Sequence, residues 1–267
     1  MRDFRRRFIL VPTLLALGAS LSAVRAEGTK RSFERVLKVA GPVEVSLNAN
    51  SSDLRIVSGT EGTVRVRVIV TAQKNGAHFP EDFEEQVNYL ESNPPLKQEG
   101  NHIVLGDSAE VRVPKSVSVD YELTVPAATR LSFESHSGDL WTEGIRGPVT
   151  VQTESGDIRM RSVREAIRIR TTSGDISLSQ AEAGGINIET TSGDVSLQLP
   201  EKAGFDMSVH TASGDISVSP TFAGGAKFAE HEANLKVHGG GVPVEIRTTS
   251  GDVSIQPATH TERVAAN

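Results

Sequence analysis

The sequence predicts an all-β chain folded as a repetitive β-solenoid, with 18–21 residues per coil and one short inserted helix. Three observations carry this expectation. The triplet Ser-Gly-Asp occurs six times, its glycine falling at Gly138, Gly156, Gly174, Gly193, Gly214 and Gly251, in steps of 18, 18, 19, 21 and 37 residues. Around each triplet apolar and polar residues alternate with period two, which sends one set to each face of a strand. Aromatics make up only 4% of the chain and Gly occurs 24 times, a balance that suits strands and turns better than helices. An antiparallel meander or sandwich, with each Ser-Gly as a hairpin turn, also satisfies the alternation. The near-constant period favours stacking, because a unit that cannot bury its apolar face alone must use its neighbours.

In chain order, residues 1–26 read as a cleavable export signal. Arg2, Arg5, Arg6 and Arg7 form a basic start, Phe8 to Val24 is an apolar run broken by Pro12, and cleavage is expected after Ala26. The run falls short of the ~20 apolar residues a membrane span needs. Arg5-Arg6-Arg7-Phe8-Ile9 also fits a loose twin-arginine pattern. Residues 27–128 read as an N-terminal β segment. Within it VEVSLNANSSDLRIV keeps the strand–turn–strand order, with Ser52-Asp53 where Gly-Asp stands later, and Val64, Val66, Val68 and Val70 share one face of a long strand. The stretch PEDFEEQVNYLES places Phe83, Val87 and Leu90 on one helical face, predicting a helix near 81–92 that begins at Pro80 with Glu81 and Asp82 in its first turn. NHIVLGD and SVSVDYELTVPA return to strand.

Residues 129–257 form the Ser-Gly-Asp segment, expected to continue the N-terminal one. Each unit has a first strand (Val149, Val151, Thr153; Ile167, Ile169, Thr171; Ile186, Ile188, Thr190) and a second (Ile158, Met160; Ile176, Leu178; Val195, Leu197), with these residues facing the core. The glycine permits positive φ. The flanking Ser and Asp are expected to bond to nearby backbone N–H groups, as short polar side chains do in turns. The long last step reads as one lost coil, its gap filled by Phe222 to Gly241, where the end of AEHEANLKV reads as a strand. Residues 258–267 read as a flexible polar tail.

The phrase VDYELTVPAATRLSFESHSGDLWTEGIRGPVTVQTESGDIRM, Val119 to Met160, resembles the Toastrack-type adhesin-like domain family of bacterial envelope proteins, a family without an established role. Tyr121 to Pro126, the successive Ser-Gly-Asp turns and Gly239 to Gly241 carry the likeness, over roughly residues 33–257. The resemblance implies a single-handed β-solenoid, and it brings no catalytic residues. Some relatives sit in envelope-stress systems, but this chain lacks the membrane-spanning parts fused to them.

Charge and motifs narrow the function. The whole chain carries −6, and removing residues 1–26, with five Arg and one Asp, leaves about −10. That balance disfavours nucleic acid and anionic lipid as partners. With no cysteine there can be no disulfide and no lipidated anchor. Stacked coils would align Asp139, Asp157, Asp175, Asp194, Asp215 and Asp252 in a column whose like charges need hydrogen bonds or cations. Calcium is the sharper alternative. Calcium-binding nonapeptide repeats carry more glycine at a shorter period, so the glycine corners read as structural and no metal is assigned. No nucleophile elbow or phosphate loop occurs, and no cofactor or catalytic residue is expected. Gln152, Arg170, Glu189, His210 and Arg247 form a mixed outward row beside a small-residue row, Ser177, Ser179, Ser196, Ser217, Ser219 and Ser254. Trp141 reads as a packing residue between segments rather than a sugar-stacking platform, since no aromatic ladder accompanies it. The expectation is an exported, periplasmic or surface, non-enzymatic adhesin-like binding or scaffold module. Its partner would be an envelope protein or a cell-wall or surface glycan. The alternatives are an envelope-stress accessory protein and a polysaccharide-active solenoid enzyme.

Overall fold

The structure, a computed structural model, describes residues 29–73, 80–224, 226 and 228–258. The export signal and nearly all of the expected tail lie outside these residues. The N-terminal part runs β1 (Lys30–Lys38), β2 (Glu44–Ser51), β3 (Leu54–Gly59), β4 (Thr63–Ala72), α1 (Phe83–Ser92), β5 (Leu96–Glu99), β6 (His102–Gly106) and β7 (Val117–Pro126). The repeats follow as β8 (Arg130–Ser137), β9 (Leu140–Glu143), β10 (Val149–Ser155), β11 (Ile158–Val163), β12 (Ile167–Arg170), β13 (Ile176–Gln180), β14 (Ile186–Ser192) and β15 (Val195–Leu199). The chain closes with β16 (Phe205–Ser213), β17 (Ile216–Val218), α2 (Pro220–Ala223), β18 (Glu232–Val237), β19 (Val242–Ser250) and β20 (Val253–Pro257).

These strands build two facing ten-stranded sheets, β1-β4-β7-β3-β9-β11-β13-β15-β20-β17 and β18-β16-β19-β14-β12-β10-β8-β2-β6-β5. Each coil places its first strand in the second of these sheets, turns a Gly-Asp corner, and places its second strand in the first. Successive coils pair in parallel and in register: Val149 lies beside Ile167, Ile167 beside Ile186, and Ile158 beside Ile176. A meander would require antiparallel neighbours, so the solenoid is the correct alternative. Between the sheets the inward rows form one core. Leu47, Phe133, Val151, Ile169, Ile188 and Ile246 face Ile56, Leu140, Ile158, Ile176, Val195 and Val253, all buried.

The order of the stack departs from the order of the chain at both ends. β2 and β3, the first coil in sequence, lie inside β6 and β7. β19 and β20, the last, lie between β14/β15 and β16/β17. The long 37-residue step between Gly214 and Gly251 therefore does not mark a lost coil. Phe222 to Gly241 contains α2 and β18, and β18 adds antiparallel to the outer side of β16. AEHEANLKV does end in a strand, but as an edge cap.

The ends are closed by elements that break the repeat. At one end β1, β4 and β7 run antiparallel, and α1 puts Phe83, Val87 and Leu90 into the core. This helix starts at Phe83, later than the proline suggests, with Glu84 and Glu85 rather than Glu81 and Asp82 in its first turn. At the other end the one-turn helix α2 was not legible in the periodicity. Ser219, expected in the outward row, instead caps that helix and is buried. Pro220 opens the helix, and Phe222 packs edge-on against Phe205, ring centroids 6.3 Å apart.

At the corners a residue larger than glycine has no room. A Cβ on Gly174 would stand 2.2 Å from the Gly156 carbonyl oxygen, and one on Gly156 would stand 2.2 Å from that of Gly138. Gly174 also has φ +115°. Ser52 escapes the rule because it is the first corner: β6 and β7 beyond it are joined by residues 107–116 rather than by a Gly-Asp corner. Gly174→Ala should thus cost roughly 2–4 kcal/mol from the clash and the backbone strain together. Gly239→Ala, at φ +90° but with nothing within 4 Å of its Cβ, should lose only the strain part. Urea unfolding of the two variants checks this difference.

Candidate functional site

The corner chemistry decides what the Ser-Gly-Asp motif can do. Each aspartate donates its backbone N–H to the Oδ1 of the aspartate one coil away: Asp139 to Asp53 at 2.8 Å, Asp157 to Asp139 at 2.8 Å, Asp175 to Asp157 at 3.1 Å, and Asp194 to Asp175 at 3.0 Å. The run continues through Asp252 to Asp194 and Asp215 to Asp252, both 2.9 Å, and begins where Asp53 donates to Asp120 at 3.1 Å. The partner is therefore the next coil, not a neighbouring residue of the same turn as the motif had suggested. The reason is geometric: the extended corner points the Asp N–H along the stack, where only another corner can accept it.

The inward threonines complete the corner. The hydroxyls of Thr153, Thr171, Thr190 and Thr248 donate to the carbonyls of Ser155, Ser173, Ser192 and Ser250, at 2.9–3.1 Å. These hydroxyls are buried, and the bond to their own corner satisfies them. The predicted glycine and aspartate columns are thus brought together along one edge, as a hydrogen-bonded seam. Among the described residues no group of three His, Asp or Glu side chains is arranged to hold a metal ion.

The predicted mixed row is also assembled. Across the outer face of the sheet containing β8 and β10 the register aligns Asn48, Glu134, Gln152, Arg170, Glu189, Arg247 and His210. Arg170 and Glu189 meet at 2.7 Å, and the next row pairs His136 Nδ1 with Glu154 at 2.9 Å. Both pairs are exposed and add little stability. Between the two rows lies a shallow polar groove of about 410 Å³, walled by Asn48, Asn50, Glu134, His136, Gln152 and Glu154 and closed at one end by Asp107. Sequence periodicity named Gln152 and Arg170 but missed Asn48, Glu134 and Asp107. Asn48 and Glu134 keep the same offset before their corner as Gln152, five residues ahead of Asp53 and Asp139, which is the signal that could have found them. Asp107 carries no such signal, because it sits in the irregular turn after β6.

The Toastrack DUF4097 family profile matches residues 41–256. The chain belongs to that family. The resemblance read from Val119 to Met160 is upheld. Two solved structures align with most of this Toastrack chain. One is a proposed cell adhesion protein from Clostridium sporogenes ATCC 15579, at 14% identity over 84% of this chain and 98% of that one, TM-score 0.42. The other is a proposed adhesin from Bacteroides fragilis NCTC 9343, at 11% identity over 84% and 96%, TM-score 0.37. At these scores neither likeness bears on function. A search of curated proteins finds no match to the Toastrack chain.

The seam generates two predictions. Asp175→Ala removes the acceptor of Asp194 N–H and should cost about 0.5–1 kcal/mol, while Asp175→Asn, which keeps an oxygen there, should be near neutral. Chelating divalent ions should leave the melting temperature unchanged, as a calcium-held column would not. At the seam's first link, burial pushes the Asp120 carboxyl above the usual carboxylate range, against the bond from Asp53 N–H; the Asp53 charge pushes it further up. A raised carboxyl favours the fold only while protonated, so its contribution is lost as pH rises through the native value. Asp120→Asn should therefore raise the melting temperature at pH 7, and the gain should vanish near pH 3.

Proposed function

We propose that this chain is an exported, non-enzymatic adhesin-like module of the bacterial cell envelope, and that it holds an envelope protein or a cell-wall or surface glycan on the groove-bearing sheet. The observation that supports this most is the fixed registry of the Asn48–Glu134–Gln152–Arg170 row over the groove. Parallel strands pinned by the seam present these side chains at the inter-strand spacing of about 4.8 Å. A partner then meets a face that is already ordered and loses little by immobilising it. Side-chain amides and carboxylates there offer both donors and acceptors, the complement of a hydroxyl-rich glycan or a polar peptide surface. The acidic chain and its groove carboxylates favour neutral or cationic partners. Among the described residues no helix is long and apolar enough to cross a membrane.

A second mode is edge-on association. β17 is an edge strand of three residues with Ile216 and Val218 half-buried, and among the described residues no further coil lies beyond Asp215 for its carboxylate to accept from. Unpaired strand edges recruit other strands.

The test is binding of the exported chain to arrayed envelope glycans and to envelope extract. The triple variant Glu134→Ala, Gln152→Ala, Arg170→Ala should weaken retention at least about tenfold, the loss of two or three net hydrogen bonds. Ser196→Ala on the opposite sheet should not. Equal retention by the triple variant would remove the groove from consideration, and turnover of a glycan that is lost in an Asp-to-Asn series would replace the reading with an enzyme.

A further inference from the structure

On the opposite sheet a second arrangement stands apart from the groove. The residue two places after each corner aspartate faces outward, and the register brings these positions into one row: Arg55, Trp141, Arg159, Ser177, Ser196 and Ser254. At its N-terminal end the row continues into Glu122, Arg67 and Glu34. A cavity of about 290 Å³ opens here, lined by Glu34, Arg55, Val57, Arg65, Arg67 and Glu122.

The three arginines are not equivalent. Arg65 is tied to Glu34. Arg67 bonds Glu122 at 3.2 Å and the Ser32 hydroxyl. Arg55 lies beside Glu122 in register, and its guanidinium carbon stacks 3.6 Å over the Trp141 ring. It has no carboxylate partner among the described residues. Stacking fixes the plane of the guanidinium while leaving its N–H edge free. A flat, oriented, uncompensated fork is the geometry that grips a carboxylate with two parallel bonds.

The surroundings select the rest of the ligand. Three arginines against two glutamates leave the cavity with a local positive excess although the whole chain is acidic, which suits an anionic ligand. Glu34 and Glu122 accept hydrogen bonds from the hydroxyls that a sugar carries and an acidic peptide lacks. Val57 gives the cavity an apolar wall for the C–H face of a ring. We infer that this cavity binds an acidic sugar unit, a uronate within a polysaccharide, with Arg55 holding the carboxylate and Trp141 positioning Arg55. This site lies on the sheet opposite the groove and does not depend on the proposed role of that groove.

Trp141 is the one tryptophan of the chain, so its emission reports directly on Arg55. The full exported chain is titrated with trigalacturonate, followed by tryptophan emission and, in parallel, by calorimetry. A saturable emission change is expected, absent with the methyl-esterified trimer and with neutral galactotriose. Arg55→Gln should weaken binding about tenfold or more and Arg55→Lys by less, since the charge remains while the fork is lost. Arg55 is exposed, so these variants should keep the parent urea midpoint. Trp141→Leu, read by calorimetry, should also weaken binding, because the guanidinium loses its support. The inference is overturned if neither emission nor heat saturates with the uronate. It is equally overturned if Arg55→Gln binds as well as the parent, or if polyglutamate binds as tightly as the sugar. Loss of glycan retention on the groove variants leaves this outcome unaffected.

Discussion

One short bond repeated along an edge governs this molecule: the N–H of a corner aspartate meeting the carboxylate of the corner beside it. It requires corners of the same shape at the same height. The glycine before each aspartate lets those corners approach until a methyl group would collide with the neighbouring carbonyl. The threonine three residues before the glycine turns a buried hydroxyl into a brace for the same corner. Thr-x-Ser-Gly-Asp is thus a unit of contact between coils. Its letters are explained by what lies above and below them more than by what lies beside them in the chain.

Much of the architecture was legible for that reason. Alternation in Ile167, Ile169, Thr171 and Ile186, Ile188, Thr190 assigned the inward face correctly, and the constant step implied stacking. What could not be read was the order of the coils. The TASGDI of the β16 coil and the TTSGDV of the β19 coil offer the same surfaces, so a slot that accepts one accepts the other in local terms. Only the caps decide. β18 needs the outer side of β16, which leaves β19 the inner place. The same ambiguity hid β2 between β6 and β8.

The surface was partly legible by the same offset rule. Counting from each corner aspartate predicts that Arg55 and Trp141 share a row although 86 positions separate them. It predicts Arg170 beside Glu189 at once. It fails for Asp107, which enters the groove from a turn outside the repeat, and for Ser219, where Pro220 converts an expected strand residue into a helix cap. Repetition makes side-chain neighbours calculable. Interruption of the repeat is where the structure alone supplies them.

The interleaved end has a kinetic meaning. Because β19 and β20 follow every other described coil in the chain yet occupy an interior berth, the rungs on either side of that berth cannot settle before this segment is made. A nascent chain halted before residue 242 would offer the β14 coil a look-alike mate, the β16 coil, and could close up one rung short. Delivery of the β19–β20 segment is then what distinguishes a complete stack from a foreshortened one. The latch is made after the slot it fills.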